Sequence, residues 1–512
     1  MYKASVGKAG ISAYHPLAVK AGIEVLENGG NAFDAAIAVS SVLSVVHPFS
    51  GGLGGDGFLA AFLGDDTVFI YNGSGASPSG FDPELYIKNK PARGPLTLTV
   101  PGLVELWGYI EERFCKKSLR ELLIPAISLA ENGFYADSFL VKAIRESKDY
   151  LIDYEDWAQT YIGIEEGNII YNKGMAEVLK EISSRGWEMF YKGKLAEKLV
   201  DILRSKGVGI TLEDLETHRG SVQKALSLDL GDKILYEIPP NSQGLSTLNM
   251  ISALHELGLD RYGFDDIKRL ALWEEPTKKI YIFRDLHLGD PRFMDIDPSK
   301  YTTYSSIIKS IDMKTIDMKE TREGNMDTTF FVTVDREGNI VGFIQSLYHW
   351  FGSGIIALGI PFQSRGAGFS LLKGVPNEPA PRKKPLHTLS VLLIEDHGSA
   401  EPVKYVIGCA SGDHRPQIHT RIYENIFVYR MDLEAAIEAP RFIYISLSTS
   451  QKLIIEEGLD GPQGFSKIVT KGSYTAMGRV NACKYHTNRS FAILSPDPRS
   501  PSISIAINLH SI

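Results

Sequence analysis

The chain has little cysteine, no long hydrophobic run and no block of like charge. Its three cysteines in 512 residues, Cys115, Cys409 and Cys483, stand far apart with no C-x-x-C pair. That spacing excludes a disulfide framework and a structural zinc site, and it fits a thiol-tolerant, cytosolic setting. The longest apolar stretch, AAIAVSSVLSVV, covers residues 35–46 and is broken by serines. It is too short to span a bilayer and reads as a buried helix. Residues 1–10 lack the apolar centre of an export signal, so neither secretion nor membrane anchoring is expected. The net charge of −8 is spread without runs, which argues against nucleic acid or an anionic membrane as partner. The glycine-rich GGLGGDG (51–57) has neither the G-K-[ST] of a phosphate loop nor G-x-G-x-x-G spacing, and reads as a tight structural turn near a site. No cofactor and no metal is expected. Internal repeats and low-complexity tracts are absent.

What is present is an ordinary globular composition, 44% hydrophobic and 23% charged. Residues 16–28 carry apolar positions at helical spacing. Gly29-Gly30 then reads as a stop and Asn31 as the cap of a second helix, 32–46, apolar on nearly every side. Residues 58–72 read as a hairpin turning at Gly64-Asp65-Asp66. Helices are expected over 103–115, 117–132, 174–185, 193–205 and 266–283, with Pro276 marking a start or kink. The polar stretch 290–327 reads as an exposed linker. Beyond it strands dominate, at 329–335, 340–346, 389–395, 404–408, 452–456 and 502–508, with helices at 416–429 and 432–438. Periodicity alone gives an α+β fold.

The segment MDTTFFVTVDREGNIVGFIQSL (326–347) has the layout of a self-exposing N-terminal nucleophile. A Thr hydroxyl is a poor nucleophile until a base takes its proton. Cutting the Asp327–Thr328 bond would give Thr328 a free α-amine titrating near ~7.7–8.0, so one residue would supply nucleophile and base. Taken alone, the segment also reads as a plain strand start, where Thr is common. The hairpin adds a constraint. With Asp335 opposite Ile340, Thr328 falls opposite Leu347, and a one-residue bulge brings Ser346 opposite it instead. Either way the Ser346 hydroxyl comes within about 4.5–8 Å of the Thr328 backbone.

The surrounding segments point one way. SAYHPLAVKAGIEVLENGGNAFDAA (12–36), GGLGGDGF (51–58), GPLTLTVPGL (94–103), LLIPAISLAENGF (122–134) and IPPNSQG (238–244) precede TTFFVTVDREGN (328–339). FGSG (351–354), PRKKPLHTLS (381–390), GCASGDHRPQ (408–417) and EAAIEAPRF (434–442) follow. In this order the chain resembles the γ-glutamyltranspeptidase family. FIQSLYH (343–349) and SRGAGFS (364–370) bring it nearest the transpeptidase-related, acylase-like branch. The resemblance implies a four-layer α/β/β/α sandwich with two antiparallel sheets, the N-terminal-nucleophile hydrolase fold. It implies a precursor cut before Thr328 into pieces 1–327 and 328–512 that fold together and stay associated. The substrate would be a small-molecule amide, taken through an acyl-enzyme. The oligomer state, homodimer included, stays open.

The resemblance also assigns residues. Thr328 would be the nucleophile, with Ser346 helping processing beside it. Ser411 and Gly412 stand where the family's adjacent glycines form the oxyanion hole, and main-chain donors tolerate the change at Ser411. His387 and Thr388 replace the two serines that bind the glutamyl α-carboxylate, and both can still donate to an acid. Tyr348 stands where the family has an Asn. Asp413, next to the glycine turn, is a further candidate for substrate contact. Ser74 stands in place of the carboxylate-gripping Arg, and Ala367 or Gly368 in place of the Asp that holds the α-amine. A Ser cannot replace bidentate Arg pairing. A strong preference for a γ-glutamyl donor would mean that other residues, Arg365 or Asp413, have rebuilt the clamp. Three functions stay open: a γ-glutamyl amidohydrolase or acyltransferase, an acylase for glutaryl or cephalosporin-type side chains, and an uncut, non-catalytic binding protein.

Overall fold

A computed structural model describes residues 4–310, 326–445, 452–462, 466–470 and 477–508, with the side chains of 326–327 and 466–470 left undescribed. Two seven-stranded sheets, antiparallel throughout, form its centre. One runs in the order Ser5–Gly7, Phe491–Pro496, Arg479–His486, Val403–Ala410, Leu392–Asp396, Lys233–Glu237, Leu226–Asp229. The other runs Ile503–Ile507, Ala9–Ala13, Met326–Val334, Ile340–His349, Asp56–Phe62, Val68–Asn72, Ser221–Gln223. Each sheet mixes strands from before and after Thr328, so the two segments share one core.

Three apolar layers follow from this stacking. Phe58, Ala60, Phe330, Val332 and Ile344 of one sheet meet Val391, Leu393, Val406 and Leu494 of the other in the layer between the sheets. The alternate residues Phe331, Val341 and Phe343 face a helical layer that includes Ala32–Val46. The far sheet is covered by helices Gly244–Glu256, Glu274–His287 and Arg415–Phe427. The sheets approach closely where Gly408 lies under Phe330: a Cβ on Gly408 would come within 2.4 Å of that ring.

Local signals explain most elements. Asn31 caps its helix by accepting from Phe33 N and Asp34 N at 2.9 and 3.0 Å, while Asp34 accepts from Asn31 N at 2.7 Å. Such a reciprocal cap contributes about 1 kcal/mol. All of Ala32–Val46 is buried. The expected helix 117–132 is instead two, Leu119–Leu122 and Ile124–Asn132, because Pro125 in the second helix's first turn has no N–H to continue the ladder. The 266–283 helix likewise splits into Ile267–Leu272 and Glu274–His287, with Pro276 in the first turn of the latter. The strand 452–456 belongs to a separate three-stranded sheet. Within the polar stretch 290–327, short turns occupy Pro291–Phe293 and Pro298–Tyr301, and a helix Tyr304–Ile308. Residues 311–325 lie outside the described residues.

Candidate active site

Strand parity fixes where the candidate nucleophile points. Phe330, Val332 and Val334 face the layer between the sheets, and side chains two apart share a face. Thr328 therefore stands at one end of that layer, buried. On the neighbouring strand Ile344 shares the same face, and two residues on comes Ser346. On the strand beyond, Ser346 pairs with Asp56, two residues before Phe58. From the opposite sheet, Leu389, Val391 and Leu393 lead back to His387 in the same way. At this end the hydrocarbon layer thus gives way to polar groups from four segments.

The hairpin register differs by one from the expected pairing. Val334, not Asp335, sits opposite Ile340, because the Asp335 side chain fills the turn by accepting from Glu337 N and Asn339 N. The irregularity lies at the other end. Asp327 pairs with Tyr348 and Thr329 with Gln345, so Thr328 alone faces Ser346 and Leu347. Its Oγ1 donates to Ser346 Oγ at 3.2 Å, and Tyr348 N donates to the same oxygen at 2.9 Å.

His387 is placed differently from a substrate donor. Its Nδ1 accepts from Leu389 N at 3.2 Å, so Nε2 carries the proton and donates to Asp56 Oδ2 at 3.1 Å. Burial, with Arg365, Arg415 and Lys384 nearby, holds the imidazole well below its ordinary value and neutral. Both ring nitrogens are occupied, so the expectation that His387 binds a substrate acid is corrected: it orients Asp56. Asp56 also accepts from Gln363 Nε2 at 3.0 Å and Gly75 N at 3.1 Å. Burial raises its carboxyl to about 6 against the pull of Gln363, Arg365 and Gly75. Asp56 belongs to the GGLGGDG turn. Gly55 of that turn is a steric necessity: a Cβ on it would lie 2.5 Å from Ser346 O.

The expected oxyanion turn lies across the layer. Ser411 has φ −159°, open to any residue, and Gly412 has φ +52°. The short turn Gly412–His414 packs against the strand Met326–Val334 and leads into the 13-residue helix Arg415–Phe427. The N-terminal end of that helix favours negative charge. Ser411 Oγ faces Cys409 Sγ at 3.3 Å. Asp413 accepts from Arg284 Nη1 at 3.3 Å, so its carboxylate is engaged in an ion pair.

Gln243 and Arg284 were not legible as site residues. Gln243 Nε2 donates to Thr388 O at 3.1 Å and to Gly412 O at 3.0 Å, and Arg284 Nη1 holds its Oε1 at 2.9 Å. Gln243 thereby ties the 385–390 segment to the oxyanion turn. The IPPNSQG loop also runs beside His387, with His387 N donating to Asn241 O at 2.7 Å and Gln243 N to His387 O at 3.0 Å.

Thr388 and Tyr348 meet at Arg365. Its guanidinium lies over the Tyr348 ring at 4.1 Å, and Nη1 donates to Thr388 Oγ1 at 3.3 Å. Tyr348 holds φ +77°, strained for a side-chain-bearing residue. Ser74 donates from N and Oγ to Asn72 Oδ1 at 3.0 and 2.7 Å, and from Oγ to Asn241 Oδ1 at 3.3 Å, all neutral partners. Ala367 and Gly368 lie in the turn Arg365–Gly368 and bring no charge.

Comparison with known proteins gives the family and the fold. The family model of γ-glutamyltranspeptidase matches residues 18–503. The glutathione hydrolase-like YwrD proenzyme of Bacillus subtilis is 33% identical over 459 residues, covering 87% of this chain and 86% of the relative. The oxamate amidohydrolase proenzyme of Klebsiella pneumoniae is 30% identical over 532 residues, covering 98% and 99%. The crystal structure of cephalosporin acylase from Bacillus halodurans superposes with a TM-score of 0.87 at 26% identity, covering 100% of this chain and 98% of that one. The chain belongs to the γ-glutamyltranspeptidase family, has the N-terminal-nucleophile hydrolase fold, and is an enzyme of the hydrolase and acyltransferase type.

Proposed function

We propose that the protein is a self-cleaving amidohydrolase in which Thr328 is the nucleophile, first on its own chain and then on a small-molecule amide. The observation that carries this reading is the Thr328 hydroxyl, held at 3.2 Å by Ser346 on an irregular stretch of strand. In the uncut chain Oγ1 attacks the Asp327 carbonyl. The C–N bond breaks, the hydroxyl proton passes to the departing Thr328 nitrogen, and an ester remains. Water hydrolyses that ester to leave Asp327 with a carboxylate and Thr328 with a free amine and hydroxyl. In the cut enzyme the amine takes the Oγ1 proton as Oγ1 attacks a substrate amide. The proton then goes to the leaving amine. The Ser411 and Gly412 N–H groups stabilise the oxyanion, and water or another amine takes the acyl group from Thr328. The interleaving of both segments in each sheet supports pieces that stay together after cutting. The unpaired Cys115, Cys409 and Cys483 support a thiol-tolerant, cytosolic setting.

The donor side of the site supports an acyl group without an α-amine. A buried ammonium needs a partner anion, and Ser74, Ala367 and Gly368 supply none. The acylase reading is therefore favoured over a strict γ-glutamyl one. The test is to quench turnover of a slow amide donor and map peptides by mass. The acyl group is expected on the peptide beginning at Thr328; an acyl group on any other residue overturns the assignment.

A further inference from the structure

A guanidinium taken out of water needs an anion or a full set of acceptors, because an unpaired buried charge costs several kcal/mol. Arg365 is fully buried. Its Nη1 has one neutral partner, Thr388 Oγ1 at 3.3 Å, and its plane lies over Tyr348. Its Nε and Nη2 have no hydrogen-bond partner among the described residues. The acids in its surroundings are Asp56 and Asp413, and neither bonds to it. Asp56 is held by Gln363, Gly75 and His387, and Asp413 by Arg284. Burial pulls Arg365 down to about 10, so it stays charged at neutral pH.

Its position relates it to the reacting bond. The preceding residue, Ser364, donates its N–H to Leu347 O at 3.0 Å, inside the irregular stretch that faces Thr328. Tyr348, whose ring carries the guanidinium, pairs with Asp327, the residue whose carbonyl is joined to Thr328. Arg365 thus lies on the acyl side of the nucleophile. Two vacant N–H donors on one guanidinium suit the two oxygens of a carboxylate.

We infer that Arg365, with Thr388 and Tyr348, is the acid clamp of this enzyme, and that its donors are monoamides of dicarboxylic acids whose free carboxylate seats on Nε and Nη2. This rests on the reading that Thr328 is the nucleophile. The clamp is a new one, in place of the Arg lost at Ser74, and the two acids near it, Asp56 and Asp413, are already engaged by Gln363, Gly75 and His387 and by Arg284.

The test compares glutaryl-p-nitroanilide with valeryl-p-nitroanilide, which differ by a carboxylate against a methyl, and adds glutarate binding by calorimetry. The wild-type enzyme is expected to favour the glutaryl donor by about 100-fold or more in kcat/KM, since a site built to bond a polar group rejects the analogue lacking it. Arg365→Met should bring that ratio near one and abolish glutarate binding. Arg365→Lys, which keeps the charge without the fork, should fall between, with the loss mainly in KM. Absence of glutarate binding by the wild type, or an equal ratio and equal binding in wild type and Arg365→Met, overturns the clamp. Glutarate binding that is lost in Arg365→Met, in a protein that neither cuts itself nor turns over either donor, keeps the clamp and instead removes Thr328 as nucleophile.

Discussion

The Thr328 hydroxyl and the Ser346 hydroxyl lie 3.2 Å apart, both buried, at the one point where the hairpin register breaks. In a regular ladder Thr328 would have one opposite residue; here the break gives it Ser346 and Leu347. Ser346 Oγ accepts from both Thr328 Oγ1 and Tyr348 N, so it fixes the hydroxyl and the strained Tyr348 backbone together. Ser346→Ala is expected to slow cutting before Thr328 at least tenfold, while costing about 1–3 kcal/mol for the Tyr348 N–H left unpaired. A time course on a denaturing gel and a melting curve check both. Cutting at the wild-type rate would show that Ser346 has no part in it.

The oxyanion turn separates main-chain from side-chain roles. Ser411 has a negative φ and its side chain faces Cys409, so Ser411→Ala should keep kcat/KM within a few-fold. Gly412 sits at φ +52°, where a side chain costs roughly 1–2 kcal/mol. Gly412→Val should lose about 100-fold or more, the scale of losing one oxyanion donor. Equal losses from the two variants would mean that the Ser411 hydroxyl itself touches substrate.

Asp56 makes a pH prediction with a definite sign. Its carboxyl is raised from the ordinary 3.8 to about 6, so the fold holds that proton more tightly than the unfolded chain does. The stability this supplies is complete below pH 3.8 and lost as pH rises through about 6. At 1.36 kcal/mol per pKa unit, the loss between pH 4.5 and 7 is about 2 kcal/mol. In an uncut Thr328→Ala background, Asp56→Asn should melt several degrees below its parent, because the new NH2 meets a donor whichever way it turns. That gap should be wider at pH 4.5 than at 7. A gap that widens toward pH 7 contradicts the raised carboxyl.

Much of this was legible in the sequence, for physical reasons. Asn31 and the all-apolar 32–46 run announce a capped, buried helix, and Thr328 at the head of alternating apolar residues announces its strand. Less visible was Arg479–His486, which reads as polar yet is a central strand. Its Asn481 donates to Phe330 O at 3.0 Å and accepts from Ser12 Oγ at 2.7 Å, so its polar atoms bond across the sheets. Asp56 hid inside a glycine run whose obvious meaning was a turn. Gln243 and Arg284 act on residues more than a hundred positions away, a relation that local spacing does not carry. His387 looked like a donor because the sequence shows its type and not that Leu389 N and Asp56 already occupy its ring.

The most direct measurement is the intact mass and N-terminal sequence of the purified wild-type protein. Self-cleavage predicts two associated polypeptides, 1–327 and 328–512, the smaller beginning at Thr328 with an unblocked amine. Thr328→Ala should remain one chain, and Thr328→Ser, which keeps the hydroxyl, should still be cut. A wild-type protein that stays whole after prolonged incubation, or is cut at another bond, contradicts Thr328 as the nucleophile.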